Sequence, residues 1–155
     1  MLKINSKAPG LKLNSTNGSS YSLKNSAGKY VVLYFYPKDD TPGCTIEAND
    51  FNRLFNKFRK LNCVVFGISK DELKSHNKFK EKYKIKFDLL TDDELMAVKS
   101  YKVWAKKKFI GREFMGVIRS TFLIGPEVKI IKIWENVKVK DHAKEVLDML
   151  KSIQK

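Results

Sequence analysis

Cysteine is scarce in this chain: two among 155 residues, Cys44 and Cys63. Two thiols cannot build the framework of a disulfide-stapled secreted domain. With no histidine or third cysteine near either, they cannot make a zinc site. Long apolar runs are missing too. The longest, Tyr30 to Tyr36, falls far short of the ~20 residues that a membrane-spanning helix needs. The stretch from Met1 to Lys7 is followed by no apolar segment of the signal-peptide kind. A reduced, cytoplasmic setting with no membrane partner is therefore expected.

Arginine is also rare. Of 31 basic residues only Arg53, Arg59, Arg112 and Arg119 are arginines, and the lysines are spread along the whole length. The net charge of +14 raises the question of nucleic acid. Scattered lysines, with no basic arm or stripe, read instead as a solvated surface. Glycine (8) and proline (4) are too few to form a linker, and no low-complexity tract or solenoid repeat divides the chain. With 43% hydrophobic and 31% charged residues, residues 1–155 are expected to form a single globular domain with its own core.

What is present alternates. Val31 to Tyr36 and Cys63 to Ile68 are short runs rich in Val and aromatics, the pattern of buried central strands. Between them Phe51, Leu54, Phe55 and Phe58 fall at i, i+3, i+4 and i+7, which predicts one helix from about Cys44 to Lys60. A second helix is expected over Asp71–Tyr83, then a strand near Phe87–Leu90. A third helix, capped by Thr91-Asp92-Asp93-Glu94, is expected from about Asp92 to Tyr101. Arg119–Ile124 and Val128–Trp134 are separated only by Gly125-Pro126-Glu127, so they should pair antiparallel. Ala143, Val146, Leu147, Leu150 and Ile153 give the apolar stripe of a final helix. Upstream, Leu11–Leu13 and Tyr21–Leu23 flank Asn17-Gly18, an N-terminal hairpin. The sum is an α/β fold of thioredoxin type, a central mixed sheet flanked by helices with an N-terminal β-hairpin.

In such sheets functional groups gather beyond the carboxyl ends of the strands. Cys44 lies there, in the segment "YPKDDTPGCTIE", in the first turn of the predicted helix. Unpaired N–H groups and the positive end of the helix dipole favour a thiolate at that position. Thioredoxins carry two thiols at this junction. Here Thr41 stands three residues before the single cysteine, and its hydroxyl can hydrogen-bond a small polar substrate held against the sulfur.

The run Pro37 to Cys44 matches the PxxxTxxC signature of peroxiredoxins. "FYPKDDTPGCTIEA" resembles the bacterioferritin comigratory protein, or peroxiredoxin Q, branch. The resemblance extends through "VVFGIS" and "YKVWAKKKFIGREFMGVIRSTFLI" to the final helix. It implies a thiol peroxidase without metal or organic cofactor, in which Cys44 attacks the O–O bond of hydrogen peroxide or an organic hydroperoxide and becomes a sulfenic acid. It implies that Thr41 hydrogen-bonds thiolate and substrate, that Pro37 shields the site from water, and that Arg119 stabilises the developing charge. Without the "RSTFLI" context Arg119 would read as a surface residue. Glu47, three residues after Cys44, either orients that arginine, as the resemblance suggests, or is an ordinary first-turn acid facing the helix dipole. A monomer is expected, because relatives in this branch are often monomeric.

The pattern departs at Asn49, where many members of the branch carry a resolving cysteine. Cys63 is a poor replacement. About 16 helical residues at 1.5 Å each carry the chain ~24 Å from Cys44 before Cys63 opens the next strand at the other end of the sheet, and a disulfide needs Cα atoms within ~7 Å. Cys63 reads as a small buried hydrophobe. A one-cysteine cycle with an external thiol reductant, thioredoxin, glutaredoxin or glutathione, is expected. The rivals are a thiol redox sensor or thiol-disulfide oxidoreductase without efficient peroxide turnover, and a basic nucleic-acid-binding module. His76 and His142 read as surface or packing residues, and Trp104–Arg112 as a solvated loop over the active site.

Overall fold

The computed structural model describes residues 2–154. In chain order its elements are β1 (Lys12–Ser15), β2 (Ser20–Ser22), a 3-10 turn (Leu23–Ser26), β3 (Tyr30–Phe35), α1 (Pro42–Arg53), α2 (Phe55–Lys60), β4 (Cys63–Ser69), α3 (Leu73–Tyr83), β5 (Asp88–Thr91), α4 (Met96–Ser100), β6 (Trp104–Phe109), β7 (Arg112–Val117), β8 (Ser120–Ile124), β9 (Ile130–Trp134) and α5 (His142–Ile153). Seven strands form one mixed sheet in the order β2-β1-β5-β4-β3-β8-β9. β3, β4 and β5 are parallel to one another, and the remaining pairs are antiparallel. This is the expected thioredoxin-like arrangement, with the N-terminal hairpin added to the sheet through β1 and β5.

The apolar run at residue 30 is continuous because β3 is buried on both faces. Val31, Leu33 and Phe35 enter one core, with Ala97 and Val98 of α4. Val32, Tyr34 and Tyr36 enter the other, with Ala48 and Phe51 of α1, Phe79 of α3, and Val146, Leu147 and Leu150 of α5. Phe51 is fully buried, and truncating such a ring costs about 3–5 kcal/mol. α1 is thereby fixed against the sheet, and so is its first turn. Gly67 in β4 has a steric reason as well. A Cβ there would lie 2.8 Å from the Tyr34 ring, so only glycine lets that ring cross the strand.

Three expectations need correction. The helix from Cys44 to Lys60 is broken at Leu54, whose N–H is shared between the Asp50 and Phe51 carbonyls. The tightened turn lets Phe51 and Phe58 both bury completely, while Leu54 and Phe55 remain half-buried. The third helix begins only at Met96. Asp92 does cap it, accepting from the N–H groups of Ala97 (3.1 Å) and Val98 (2.8 Å), but Leu95 is left-handed (φ 61°) and delays the helix.

The largest correction concerns Trp104–Arg112, which is no loop. β6 pairs with β7 as a separate two-stranded ribbon, from Trp104 opposite Val117 to Phe109 opposite Arg112. Ile110 (φ 50°) and Gly111 (φ 72°) make its two-residue turn. Two successive positive φ values are the hairpin geometry usually announced by Asn-Gly. An isoleucine in the first place hides it, and mostly exposed strands give no hydrophobic period.

Candidate active site

β3 hands the chain directly to the site. The N–H of Tyr36 still bonds the Ile68 carbonyl (3.0 Å), prolonging the ladder, and Pro37 then ends it because proline has no N–H to donate. Asp40 takes a left-handed turn (φ 57°), and its carboxylate accepts from Lys82 Nζ and the Tyr83 hydroxyl, both at 2.7 Å. Thr41 is the extended N-cap of α1 and Pro42 its first helical residue, where a fixed φ suits the helix. The first helical bond runs from Thr45 N–H to the Thr41 carbonyl (2.8 Å). The N–H groups of Gly43 and Cys44 precede any intrahelical acceptor and form the positive pole of α1. Cys44 sits on this turn, 1% exposed.

Arg119 arrives from the far end of the chain. It immediately precedes β8, whose Ser120 is opposite Phe35 of β3, so the strand pairing delivers residue 119 beside the loop that follows β3. Its carbonyl is fixed by the N–H of Val137 (2.9 Å). One guanidinium nitrogen, Nη2, lies 3.2 Å from Cys44 Sγ, and the other, Nη1, donates to Glu47 Oε1 at 2.7 Å. Glu47 is one turn beyond Cys44 on the same face of α1, so one planar fork spans both. Gly43 makes room for it. A Cβ at that position would lie 3.3 Å from Nη2.

Glu47 is 1% exposed, and its Oε2 has no hydrogen-bond partner among the described residues. Burial pushes its pKa up to about 7, against the opposing pull of Arg119. Burial alone would lower the pKa of Arg119. The Glu47 carboxylate and the Cys44 sulfur more than offset that, so it is raised and the guanidinium stays charged.

Of the other residues singled out in the sequence, Pro37 and Thr41 are half-buried in the same loop. The Thr41 hydroxyl donates to the Lys38 carbonyl at 2.9 Å. Its only proton is thereby committed, so the hydrogen bond to the thiolate that the resemblance implied is not donated in this arrangement, and the oxygen is left as an acceptor. Asn49 is half-buried within α1. Cys63 is elsewhere. It opens β4 opposite Tyr30, six residues of β3 or ~20 Å away from the Cys44 end of the sheet. Burial pushes its thiol up to about 12.

Neither histidine is on the surface. His142 packs against Phe51 and Trp134, with Nε2 2.8 Å from Thr121 Oγ1, and burial lowers its pKa. His76 is 2.7 Å from Asp39 Oδ2. Asp39, Asp71 and His76 are the one group of metal-ligand side chains found together among the described residues. Their facing atoms are already spent on hydrogen bonds. Within the lysine run, period-2 alternation turns Lys107 inward between exposed Lys106 and Lys108. Its Nζ donates to the Val117 carbonyl (2.9 Å), and burial, then the charge of Arg119, lowers its pKa. The alternation was readable in the sequence, but without the hairpin nothing said that it applied.

The AhpC/TSA family model matches residues 4–133. Peroxiredoxin Bcp of Bacillus subtilis (strain 168) is 49% identical over 98% of this chain and 97% of that protein. Peroxiredoxin Bcp of Xanthomonas campestris pv. campestris is 40% identical over 92% of this chain and 89% of that one. Among solved structures, the X. campestris bacterioferritin comigratory protein, studied for its alkyl peroxide reduction activity, superposes with a TM-score of 0.89 at 39% identity, covering 94% of this chain and 92% of that one. A cysteine-to-serine variant of Xylella fastidiosa PrxQ gives a TM-score of 0.95 at 35% identity, covering 100% and 99%. The chain belongs to the AhpC/TSA family and is a peroxiredoxin of its Bcp, or peroxiredoxin Q, branch.

Proposed function

We propose that this peroxiredoxin reduces hydrogen peroxide and organic hydroperoxides through a sulfenic acid on Cys44, in a one-cysteine cycle completed by an external thiol. The observation that carries the reading is the Arg119 guanidinium, 3.2 Å from Sγ and anchored on its other side by buried Glu47. The Cys44 thiolate attacks one peroxide oxygen. An S–O bond forms, the O–O bond breaks, and the electron pair leaves on the second oxygen, which takes a proton to become water or an alcohol. Negative charge moves from sulfur to that oxygen, and the guanidinium and the N-terminus of α1 are fixed donors for it at both stages. Thr41, its own proton committed to Lys38, accepts from the hydroperoxide O–H. Pro37 keeps water from the pocket.

A first thiol then displaces water from the sulfenic acid to give a mixed disulfide, and a second frees the Cys44 thiol and carries away the disulfide. The two electrons given by the thiols equal those taken by the peroxide. Asn49 and the remote, buried Cys63 favour thioredoxin, glutaredoxin or glutathione as the source of those thiols. We read residues 1–155 as one domain acting as a monomer in the cytoplasm, with no nucleic-acid or membrane partner. No helix among the described residues is long and apolar enough to cross a membrane.

Stopped-flow oxidation of the reduced protein by hydrogen peroxide and by cumene hydroperoxide, with a sulfenic-acid trap and peptide mapping, tests the reading. The expected product is a trapped adduct on Cys44, absent in Cys44→Ser, with turnover when a thiol donor is supplied. Oxidation of Cys44 without turnover on any thiol donor would favour a redox sensor, and an unmodified Cys44 would sink the peroxidase mechanism.

A further inference from the structure

We propose that Asp39, His76 and Asp71 fix the hydrogen-bonding polarity of Thr41 toward the peroxide, and so act as positioning residues for the reaction at Cys44. The proposal rests on the reading of Cys44 just given. Its starting point is the peptide unit joining Lys38 to Asp39, a rigid plane whose carbonyl and N–H point in opposite directions. The carbonyl, that of Lys38, accepts the Thr41 hydroxyl at 2.9 Å. The N–H, that of Asp39, donates to Asp71 Oδ2 at 2.9 Å. A hydroxyl has one proton and two lone pairs. While this plane stands as it does, Thr41 spends its proton on Lys38 and can only accept from a peroxide. Turning the plane over removes that acceptor and lets the hydroxyl rotate, so that its lone pairs are no longer held for a hydroperoxide whose own proton needs an acceptor.

The plane is held at both ends. Asp71 is oriented by Ser69, whose hydroxyl donates to Oδ2 at 2.6 Å and whose oxygen accepts from Asp71 N–H at 3.1 Å. The carboxylate of Asp39, a residue 7% exposed, meets three partners: the Tyr36 hydroxyl on Oδ1 (2.6 Å), and the Ser75 hydroxyl (2.8 Å) and His76 Nδ1 (2.7 Å) on Oδ2. His76 is completely buried, with Nε2 3.0 Å from the Leu90 carbonyl. A carbonyl can only accept, so Nε2 carries a proton, and a further proton lies between Nδ1 and Oδ2. At 2.7 Å between two buried partners, that bond is short. A leucine in place of His76 would fill the space without burying ionisable groups. The pair is explained by what it holds. Anchors from the end of β3, the end of β4 and the first turn of α3 all converge on the two residues that precede Asp40 and Thr41.

The test compares two reactions of the Cys44 thiol in His76→Leu and in the native protein. Oxidation by hydrogen peroxide needs Thr41 to receive the substrate, whereas alkylation by iodoacetamide at the same pH needs only thiolate and access. His76→Leu is expected to slow oxidation on the order of tenfold or more, in keeping with the cost of misplacing a contact at the reacting centre, and to change alkylation by less than about twofold. Asp71→Ala, at a half-buried position, is expected to give the same split and serves if His76→Leu fails to fold. Asp39→Asn keeps at least half the native oxidation rate, because the amide oxygen still accepts from Tyr36 and the amide nitrogen donates to Ser75 and to a neutral His76. Both reactions falling together in the first two variants, or neither falling, overturns the proposal. So does an Asp39→Asn protein as slow as His76→Leu. A native protein whose Cys44 does not react with peroxide would instead defeat the underlying reading.

Discussion

Replacing Glu47 with glutamine tests whether a buried carboxylate really titrates beside Arg119. Its folded pKa of about 7 lies above the ordinary value of 4.5 because burial disfavours the charged form more than Arg119 restores it. Between those pH values the folded protein keeps a proton that the unfolded chain has lost. The stability from this group is therefore fully present below pH 4.5 and is lost as the pH rises through 7. A difference of roughly 2.5 pH units corresponds to roughly 3 kcal/mol in all, of which about 2.5 falls between pH 5 and pH 8. Glutamine cannot titrate, so Glu47→Gln should lack this slope. Urea denaturation at pH 5, 6, 7 and 8, with both proteins in a Cys44→Ser background so that no thiol titration overlaps, measures it. The stability of the variant relative to its parent should improve by about 2.5 kcal/mol from pH 5 to pH 8. The attraction between the ionised carboxylate and Arg119 is already contained in the pKa of about 7, so only pH-independent differences in packing and hydrogen bonding shift all points together. Parallel profiles would refute the reasoning and mean that Glu47 stays ionised throughout, its cost of burial fully met by the guanidinium.

Gly43→Ala sets a methyl 3.3 Å from Arg119 Nη2. It should leave the unfolding midpoint nearly unchanged, yet slow peroxide oxidation of Cys44 by on the order of tenfold as the fork is displaced, read by stopped-flow fluorescence. Cys63→Ala should keep full turnover with any thiol donor and lose roughly 1 kcal/mol of stability from the small cavity. In the native fold Cys63 should resist alkylation that modifies Cys44, because burial holds its thiol near 12. Sub-denaturing urea should accelerate reduction of the Cys44 sulfenic acid by a bulky thiol while slowing its formation by hydrogen peroxide, as followed by quenched-flow mass spectrometry.

The parts of the fold legible in the sequence were those in which burial writes a period. The run Val31–Tyr36 is buried on both faces, and the stripe Ala143, Val146, Leu147, Leu150 meets the same core, so hydrophobicity alone located both. The β6–β7 ribbon was not legible, because its side chains are largely exposed and its turn uses Ile110-Gly111. Within the site, Cys44 was marked by its strand-to-helix junction and Thr41 by its spacing. Arg119, 75 residues on, had no such local sign. Only the match around "RSTFLI" pointed to it, since the pairing of β8 with β3 that delivers it is a long-range event. The Asp39–His76 pair left even less trace. Their 37-residue separation follows from where α3 lands, and a lone histidine in a polar helix gives no reason to expect a carboxylate beside it.

Burial of the nucleophile separates the two half-reactions by size. Cys44 is 1% exposed, on a helix pinned through Ala48 and Phe51, so a peptide-borne thiol needs a larger opening to reach it than a molecule as small as hydrogen peroxide does. Oxidation favours the folded arrangement, in which Arg119, Thr41 and the α1 N-terminus converge. Reduction needs Sγ to meet a second sulfur at bonding distance, which the packed first turn does not permit. Where a resolving thiol lies nearby in the chain, loosening one turn brings the two together. Here Cys63 is at the opposite end of β3, and loosening α1 would bare Phe51 without shortening that ~20 Å path. Under the one-cysteine cycle proposed above, the opening that admits an external thiol is smaller than any that would admit Cys63, which favours the intermolecular route.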